Sequence, residues 1–371
     1  MRHSARFHLW IPDLFQTKGG IQAYSGYFLQ ALQQVAPQAK IEVFSKHDPR
    51  SNLPNFRGAG AYPKSIRTPI FAAQLLSYGL WQRPDLVITT HLNFTEAAYQ
   101  LWRLAKIPYW TIAHGIEAWD ITRPSLQNAL HHADRILAVG HYTRDRLIQE
   151  QSIDPSKIAV LYNTFAAEQF QIAPKPKHLL QRYQLEPDQP VILTVCRLAD
   201  PQRAKGYDQI LAALPQIRRE VPNVRYILAG KGADRSRIEA IIAERELQNC
   251  VTLAGFVSED ELCDHYNLCD VFAMPSQREG FGVVYLEALA CGKPVLGGNR
   301  DGAIDALQKG ELGLLIDPDN IDQITQTLVE ILQHRSLHPL LYQPEQLRQK
   351  TIERFGFESF MRSLNSHLNL S

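Results

Sequence analysis

The chain has 371 residues, is 45% hydrophobic and 21% charged, and carries a formal net charge of +1. That length suits two cores of ordinary size better than one, and so small a net charge gives no global field for nucleic acid. Five cysteines, an odd count without close pairs, argue against a disulfide framework and for a reducing compartment, so a cytoplasmic location is expected, with the inner face of a membrane as a variant.

No run of about 18 apolar residues is available to span a bilayer. No secretory leader is expected, because the short apolar run after Arg6 soon meets Pro12 and Asp13. The histidines form no HExxH or close zinc spacing. Charge is uneven, however. Residues 1–170 hold 17 Lys and Arg against 12 Asp and Glu, a balance of +5, and the remainder balances at −4. A mildly basic first half suits an anionic acceptor or a membrane surface; chance unevenness is the alternative.

In chain order, residues 7–14 read as a first strand. Gly19 and Gly20 follow, and then a helix over 21–35 with Tyr24, Phe28, Leu29 and Leu32 on its inner face. Two glycines at a helix start let backbone approach a phosphate or a sugar closely; a flexible turn is the plain alternative. A strand at 41–45 leads into a polar stretch, 47–68, that reads as a long loop. Then come a helix over 69–81, a strand at 86–90, a helix over 95–105, and a strand at 108–113 that ends in His114 and Gly115. Strands at 135–139 and 158–162 complete the set, with Asn163 and Thr164 just beyond. Short apolar runs alternating with helices mean a mostly parallel sheet covered on both faces.

Proline, lysine and glutamine crowd residues 167–190, which places a domain linker at 171–190 with a small helix over 178–183. A second α/β set follows, with strands at 191–196, 226–229, 251–254, 271–273, 294–297 and 314–316. Its helices are expected over 206–214, 235–246, 259–267 and 321–334. For the third of these Ser258 is the expected N-cap and Glu261 the capping-box partner. Two tail helices, 344–354 and 357–367, carry Phe355, Phe357 and Phe360 as an aromatic face. The expected division is a first domain at 1–170, a second at 191–345 and a tail at 346–371.

The stretch 279–295, EGFGVVYLEALACGKPV, follows an apolar strand. It reads as strand, glycine loop, then a helix from about residue 283 that stops at Gly292 and Pro294. Such a loop can aim backbone N–H groups at an anion, usually a phosphate. Glu279 and Glu287 are eight residues apart, about two turns, so both can face one cleft. Buried carboxylates are costly unless paired, so neither is easily a core residue. Exposed glutamates at the two ends of an ordinary βα unit are the alternative.

This stretch resembles the signature of the retaining GT-B glycosyltransferases of family four: E-G-F-G, a helix with a second glutamate, then G-x-P-V. The resemblance implies two Rossmann-like, doubly wound α/β domains facing each other across a cleft. The first would bind the acceptor and the second the nucleotide-sugar donor, with the last helices crossing back to the first; Phe357 stands where the family expects a tryptophan. The implied reaction moves a hexose, mannose or glucose favoured, with retention of configuration, onto a hydroxyl of a saccharide or lipid-linked saccharide. The donor would be a GDP-sugar or UDP-sugar, with no permanently bound cofactor and no metal. Peripheral membrane contact through the first domain is a further expectation.

Carried residue by residue, the resemblance places Arg197 and Lys205 on the donor diphosphate. Seven residues separate them, more than the family's R-x-x-x-x-K-G element allows, so Lys205 is aligned by the Gly206 that follows it, and Arg203 is expected to face solvent. His114 would contact a donor hydroxyl, Glu279 would orient the hexose, and Glu287 would bind the ribose. Gly19, Gly20, Asn163, Gly230, Phe256, Gly280, Phe281 and Gly282 lie in loops expected at strand ends or in the signature itself, and are read as donor contacts, with capping of its own loop as the alternative for Asn163. Asp317-Pro318-Asp319 matches a D-x-D metal motif in letters only, and the G-G-N-R-D-G run at 297–302 hints at mannosyl or glucosyl donors.

Rival classes fare less well. A dehydrogenase wants a full G-x-G-x-x-G, and a P-loop wants Ser or Thr after G-K, where Pro294 stands. A non-catalytic nucleotide-sugar-binding protein or a nucleotide-sugar epimerase of the same fold is the alternative that the sequence leaves open.

Overall fold

The computed structural model describes residues 5–15, 19–199 and 204–369. The chain divides into two compact units, Met1–Thr164 with Phe357–Ser371, and Phe165–Gly356.

In the first unit seven strands form one sheet: β1 (Arg6–Ile11), β2 (Lys40–Ser45), β3 (Phe56–Gly58), β4 (Leu86–Thr89), β5 (Tyr109–Ala113), β6 (Arg135–Ala138) and β7 (Ile158–Val160). Their order is β3-β2-β1-β4-β5-β6-β7, and every pairing is parallel. All residues of β4 (LVIT) and β5 (YWTIA) are buried, as a parallel sheet covered on both faces requires. The order reverses between β1 and β4, which creates a crevice at their carboxyl ends. The helix Gly20–Val35 buries Tyr24, Phe28, Leu29 and Leu32. The last helix, Phe357–Asn369, lies against it, with the Phe360 ring 5.6 Å from Tyr24 and 6.4 Å from Phe28.

The polar stretch at 47–68 is not wholly loop. It contains β3, an edge strand paired only with β2, and the next helix begins at Lys64, with Pro69 inside it. An edge strand of sequence FRG has no apolar run to read. Proline early in a helix forfeits a single backbone bond there, so packing can override the break it signals.

The second unit repeats the plan with β8 (Val191–Val195), β9 (Arg225–Ala229), β10 (Val251–Gly255), β11 (Val271–Met274), β12 (Val295–Gly298) and β13 (Leu314–Ile316). Their order is β10-β9-β8-β11-β12-β13, again all parallel, with the reversal between β8 and β11. Its core gathers Tyr207, Leu211, Leu214, Tyr226, Leu228 and Leu296, all fully buried.

Residues 171–190 belong to this unit. Lys175 Nζ bonds Asp270 Oδ2 and the Gln189 carbonyl, both at 2.7 Å, and Tyr183 OH lies 2.8 Å from His265 Nε2. These contacts are polar, so the composition resembles that of a linker although the segment is packed. Ser258 does precede the helix Glu259–Leu268, but its side chain makes no capping bond. Glu261 is drawn instead to Arg182, 2.6 Å away, so no capping box forms.

Candidate active site

The second unit's crevice is built by the segments leaving β8 and β11, which are paired neighbours in the sheet. Lys205 follows β8 and Glu279 follows β11. Lys205 Nζ sits 2.6 Å from Glu279 Oε2 and 3.4 Å from the Arg278 carbonyl. The lysine is only 8% exposed, and a buried ammonium is tolerated when paired and hydrogen-bonded in this way. Gly206 makes the approach possible. Its φ is +86°, and a Cβ there would lie 2.4 Å from the Pro275 carbonyl oxygen. The Gln277 amide donates to the Ala204 carbonyl at 2.7 Å and fastens the two segments together.

Glu279 is itself held from behind. Its amide donates to Asp301 Oδ2 at 2.8 Å, its carbonyl accepts from the Gly302 amide at 2.8 Å, and its Oε1 accepts from the Gly280 amide at 3.0 Å. Asp301, just after β12, is fully buried and also accepts from Ser276 Oγ at 2.7 Å and from the Ala303 amide at 2.9 Å. Burial pushes its carboxyl up to about 7, against the opposing pull of the Ser276 hydroxyl and the two amides. Asp301 therefore positions Glu279, whose two carboxylate oxygens are shared between Lys205 and its own loop.

Gly282, at φ +90°, starts the helix Val283–Ala290. Glu287 lies on the second turn and accepts from Tyr266 OH at 2.6 Å; burial raises its carboxyl to about 7. Phe281 corrects one expectation. Its side chain is 1% exposed and packs edge-on against Phe355 at 5.6 Å, so the ring anchors the loop in the core and is not presented to a nucleotide.

Arg197 is exposed and has no ion pair or hydrogen bond among the described residues. Its neighbours are fixed. The Leu198 amide donates to the Lys231 carbonyl at 3.0 Å and the Gly230 amide to the Gly255 carbonyl at 2.7 Å, tying together the carboxyl ends of β8, β9 and β10. Beside them Phe256 is 61% exposed, with Lys231 Nζ 4.6 Å from its ring centre. Asp317 and Asp319 are engaged by Arg300 at 2.7 and 2.5 Å. Arg203 lies outside the described residues.

In the first unit, His114 follows β5. Its Nε2 lies 2.8 Å from the Thr90 carbonyl, which can only accept. Nε2 therefore carries the proton and Nδ1 a lone pair. Burial lowers the imidazole to about 4, so the ring is neutral near pH 7. The Tyr24 ring stands edge-on at 4.8 Å, and Ser25 Oγ lies 2.8 Å from Thr90 Oγ1. The His114 amide donates to Glu117 Oε1 at 2.6 Å, and burial raises that carboxyl as well. Gly19 and Gly20 are exposed at the start of Gly20–Val35, which has no side-chain cap, and no heavy atom lies within 4 Å of a Cβ built on Gly20. Asn163 Oδ1 is buried without a hydrogen-bond partner, so among the described residues it does not cap its own loop.

Family comparison agrees with this architecture. Residues 177–354 match the glycosyl transferases group 1 family and residues 18–169 match Glycosyltransferase Family 4. The chain is a GT-B glycosyltransferase related to these families. Among curated proteins, this glycosyltransferase is 28% identical over 365 residues to the GDP-mannose-dependent alpha-(1-6)-phosphatidylinositol monomannoside mannosyltransferase of Mycobacterium tuberculosis, spanning 88% of this chain and 89% of that one. It is 25% identical over 219 residues to the alpha-D-kanosaminyltransferase of Streptomyces kanamyceticus, spanning 57% of this chain and 55% of that one. Among solved structures, the sucrose-phosphate synthase of Thermosynechococcus elongatus superposes with a TM-score of 0.79 at 20% identity, covering 99% and 98% of the two chains. Anabaena HepE in complex with UDP-glucose gives 0.76 at 18%, covering 98% and 100%. The structural likeness is one of fold.

Of the residues singled out in the sequence, the glycosyltransferase fold brings Lys205 and Glu279 into direct contact. It places Arg197, Gly230 and Phe256 along one sheet edge, and sets Glu287 apart on Tyr266. Sequence reasoning passed over Asp301, Ser276 and Tyr266. Asp301 does stand in the G-G-N-R-D-G run, an acid flanked by glycines at a strand end, and that was a usable signal. Ser276 and Tyr266 offered none, since their value comes from contacts distant in the chain.

Proposed function

We propose that this enzyme is a retaining hexosyltransferase that moves mannose or glucose from a GDP-sugar or UDP-sugar to a hydroxyl of a saccharide or lipid-linked saccharide. The carrying observation is the Lys205–Glu279 pair at the carboxyl ends of β8 and β11, with an exposed Arg197 on the same edge. Two cations there suit the charge that gathers on a departing diphosphate. They support chemistry without a metal ion, since fixed positive charge at the leaving group is the service a metal would render. Glu279, bound to Lys205 and braced by Asp301, is suited to accept hydrogen bonds from hexose hydroxyls. Glu287 beside Tyr266 is suited to a ribose diol. In the step itself, the bond from the anomeric carbon to the diphosphate oxygen breaks. The acceptor oxygen bonds that carbon from the same face, and its proton passes to the leaving phosphate.

The first unit is assigned the acceptor, while its His114, with an uncharged ring, and Asn163, with an unused amide oxygen, are suited to hydroxyls of the donor sugar. Peripheral contact with an anionic membrane through this unit fits the exposure of Trp81 (75%) and Leu104 (66%) beside Arg83, Arg103 and Lys106. Among the described residues no helix is long and apolar enough to cross a membrane.

The test is a thermal-shift panel of nucleotide sugars on the full chain. A donor at 100 times its Kd should stabilise by about 2.7 kcal/mol, and GDP-mannose or a UDP-hexose should stand out. The reading fails if none shifts the midpoint, or if the shift survives intact in the Arg197→Ala, Lys205→Ala double variant.

A further inference from the structure

Two of the five cysteines are neighbours in space although not in sequence. Cys263 Sγ, on the helix Glu259–Leu268, lies 3.9 Å from Cys291 Sγ, at the C-terminal cap of Val283–Ala290. A disulfide needs about 2.0 Å between sulfurs, a distance that side-chain rotation has to close. The environments differ in the way a reacting pair requires. Cys263 is partly exposed and accepts from the Gln171 amide at 3.4 Å and from Asn267 Nδ2 at 3.5 Å, contacts that favour the thiolate. Cys291 is buried and directed at it. The S–H of Cys291 holds the Cys263 thiol down to about 6, while Cys291 itself is raised. Cys196 and Cys269 are pushed up to about 12 by burial and are inert by comparison.

We propose that Cys263 and Cys291 form a thiol-reversible disulfide in response to hydroperoxides, a modification site distinct from the glycosyl-transfer chemistry. In the first step the Cys263 thiolate attacks one peroxide oxygen. The O–O bond breaks, Cys263 becomes a sulfenic acid, and hydroxide leaves and is protonated. In the second step Cys291 sulfur attacks Cys263 sulfur, the S–O bond breaks, and the hydroxide departs with the Cys291 proton as water. Two thiols lose two electrons in all, and hydrogen peroxide is reduced to two waters. The link would join the helix bearing Tyr266 to the end of the helix bearing Glu287, the two residues already bonded at 2.6 Å.

The experiment exposes the full reduced chain to hydrogen peroxide, counts thiols after denaturation and maps linked peptides by mass spectrometry. The count should fall from five to three, since two of the five cysteines pair. The sole cross-link should join the peptides of Cys263 and Cys291, and dithiothreitol should restore all five. In Cys291→Ser the link should vanish and a dimedone-trapped sulfenic acid should remain on Cys263. The proposal is overturned if peroxide leaves all five thiols intact while oxidising free glutathione alongside. It is equally overturned if Cys263 proceeds to sulfinic acid unlinked, or if the loss falls on Cys196. None of these readouts depends on which donor binds.

Discussion

The two sheets reverse order in the same way, at β1/β4 and at β8/β11, yet the groups set at the two crevices differ in kind. The first unit presents His114, Thr90 and Ser25, hydrogen-bonded and uncharged near pH 7, with the Tyr24 ring edge-on against His114. The second presents Lys205, Glu279 and Arg197, with an acid buried behind them. One topology thus serves neutral hydrogen bonding in one unit and fixed charge in the other. The charged crevice should be the one whose loss stops a reaction that expels a diphosphate.

Lys205→Ala is where that contrast should break most sharply. It removes the cation proposed to meet the leaving group, and kcat/KM should fall by ~10²–10³. It also strands Glu279, with a stability loss of about 2–4 kcal/mol. Adding Glu279→Gln should restore part of the stability and none of the activity. A single variant with normal turnover would remove charge from the explanation. Asp301→Ala comes next. It deletes the acceptor of three hydrogen bonds in a fully buried place, so urea unfolding should show a loss of about 2–4 kcal/mol. Activity should fall too, because Glu279 loses its brace. Arg197→Ala separates the two readouts: kcat/KM should drop ~10–100-fold while stability stays within ~0.5 kcal/mol. An unfolded Arg197→Ala protein, or a folded one of normal specific activity, would contradict the assignment.

Much of this fold is legible in the chain because parallel strands buried on both faces leave compact apolar runs. The strand at Leu314–Ile316 and the helix Thr95–Ala105 could be read to the residue. Elements whose partners are polar or distant were not legible. β3 has no apolar face, Pro69 and Pro215 lie inside helices, and residues 171–190 pack through Lys175 and Tyr183 while composed like a connector. The site divides similarly. Glu279 and Lys205 announce themselves by local motif, but their contact depends on Gly206 fitting against Pro275 across 69 positions. Phe281 shows the opposite failure. It belongs to the motif, and its ring serves the core.

The smallest expected effects concern pH, and they should carry opposite signs in the two units. His114 is lowered from 6.5 to about 4 by burial. Between those values the unfolded chain binds more protons than the folded one, so this group's contribution to stability rises with pH and is lost on acidification. Glu287 is raised from 4.5 to about 7. There the folded chain binds more protons, so its contribution is greatest in acid and declines as pH rises toward 7. Each should be worth ~1–3 kcal/mol over its whole window. Unfolding midpoints of His114→Gln and Glu287→Gln, each referred to the parent chain from pH 4.5 to 8, read this directly. His114→Gln should gain on the parent as pH falls, because the imidazole of the parent's unfolded chain then takes up a proton that the buried ring refuses. Glu287→Gln should gain as pH rises, because the carboxyl of the parent's unfolded chain then ionises freely while the buried one keeps its proton. Two difference curves of the same slope would mean that burial does not hold both groups uncharged in the folded chain.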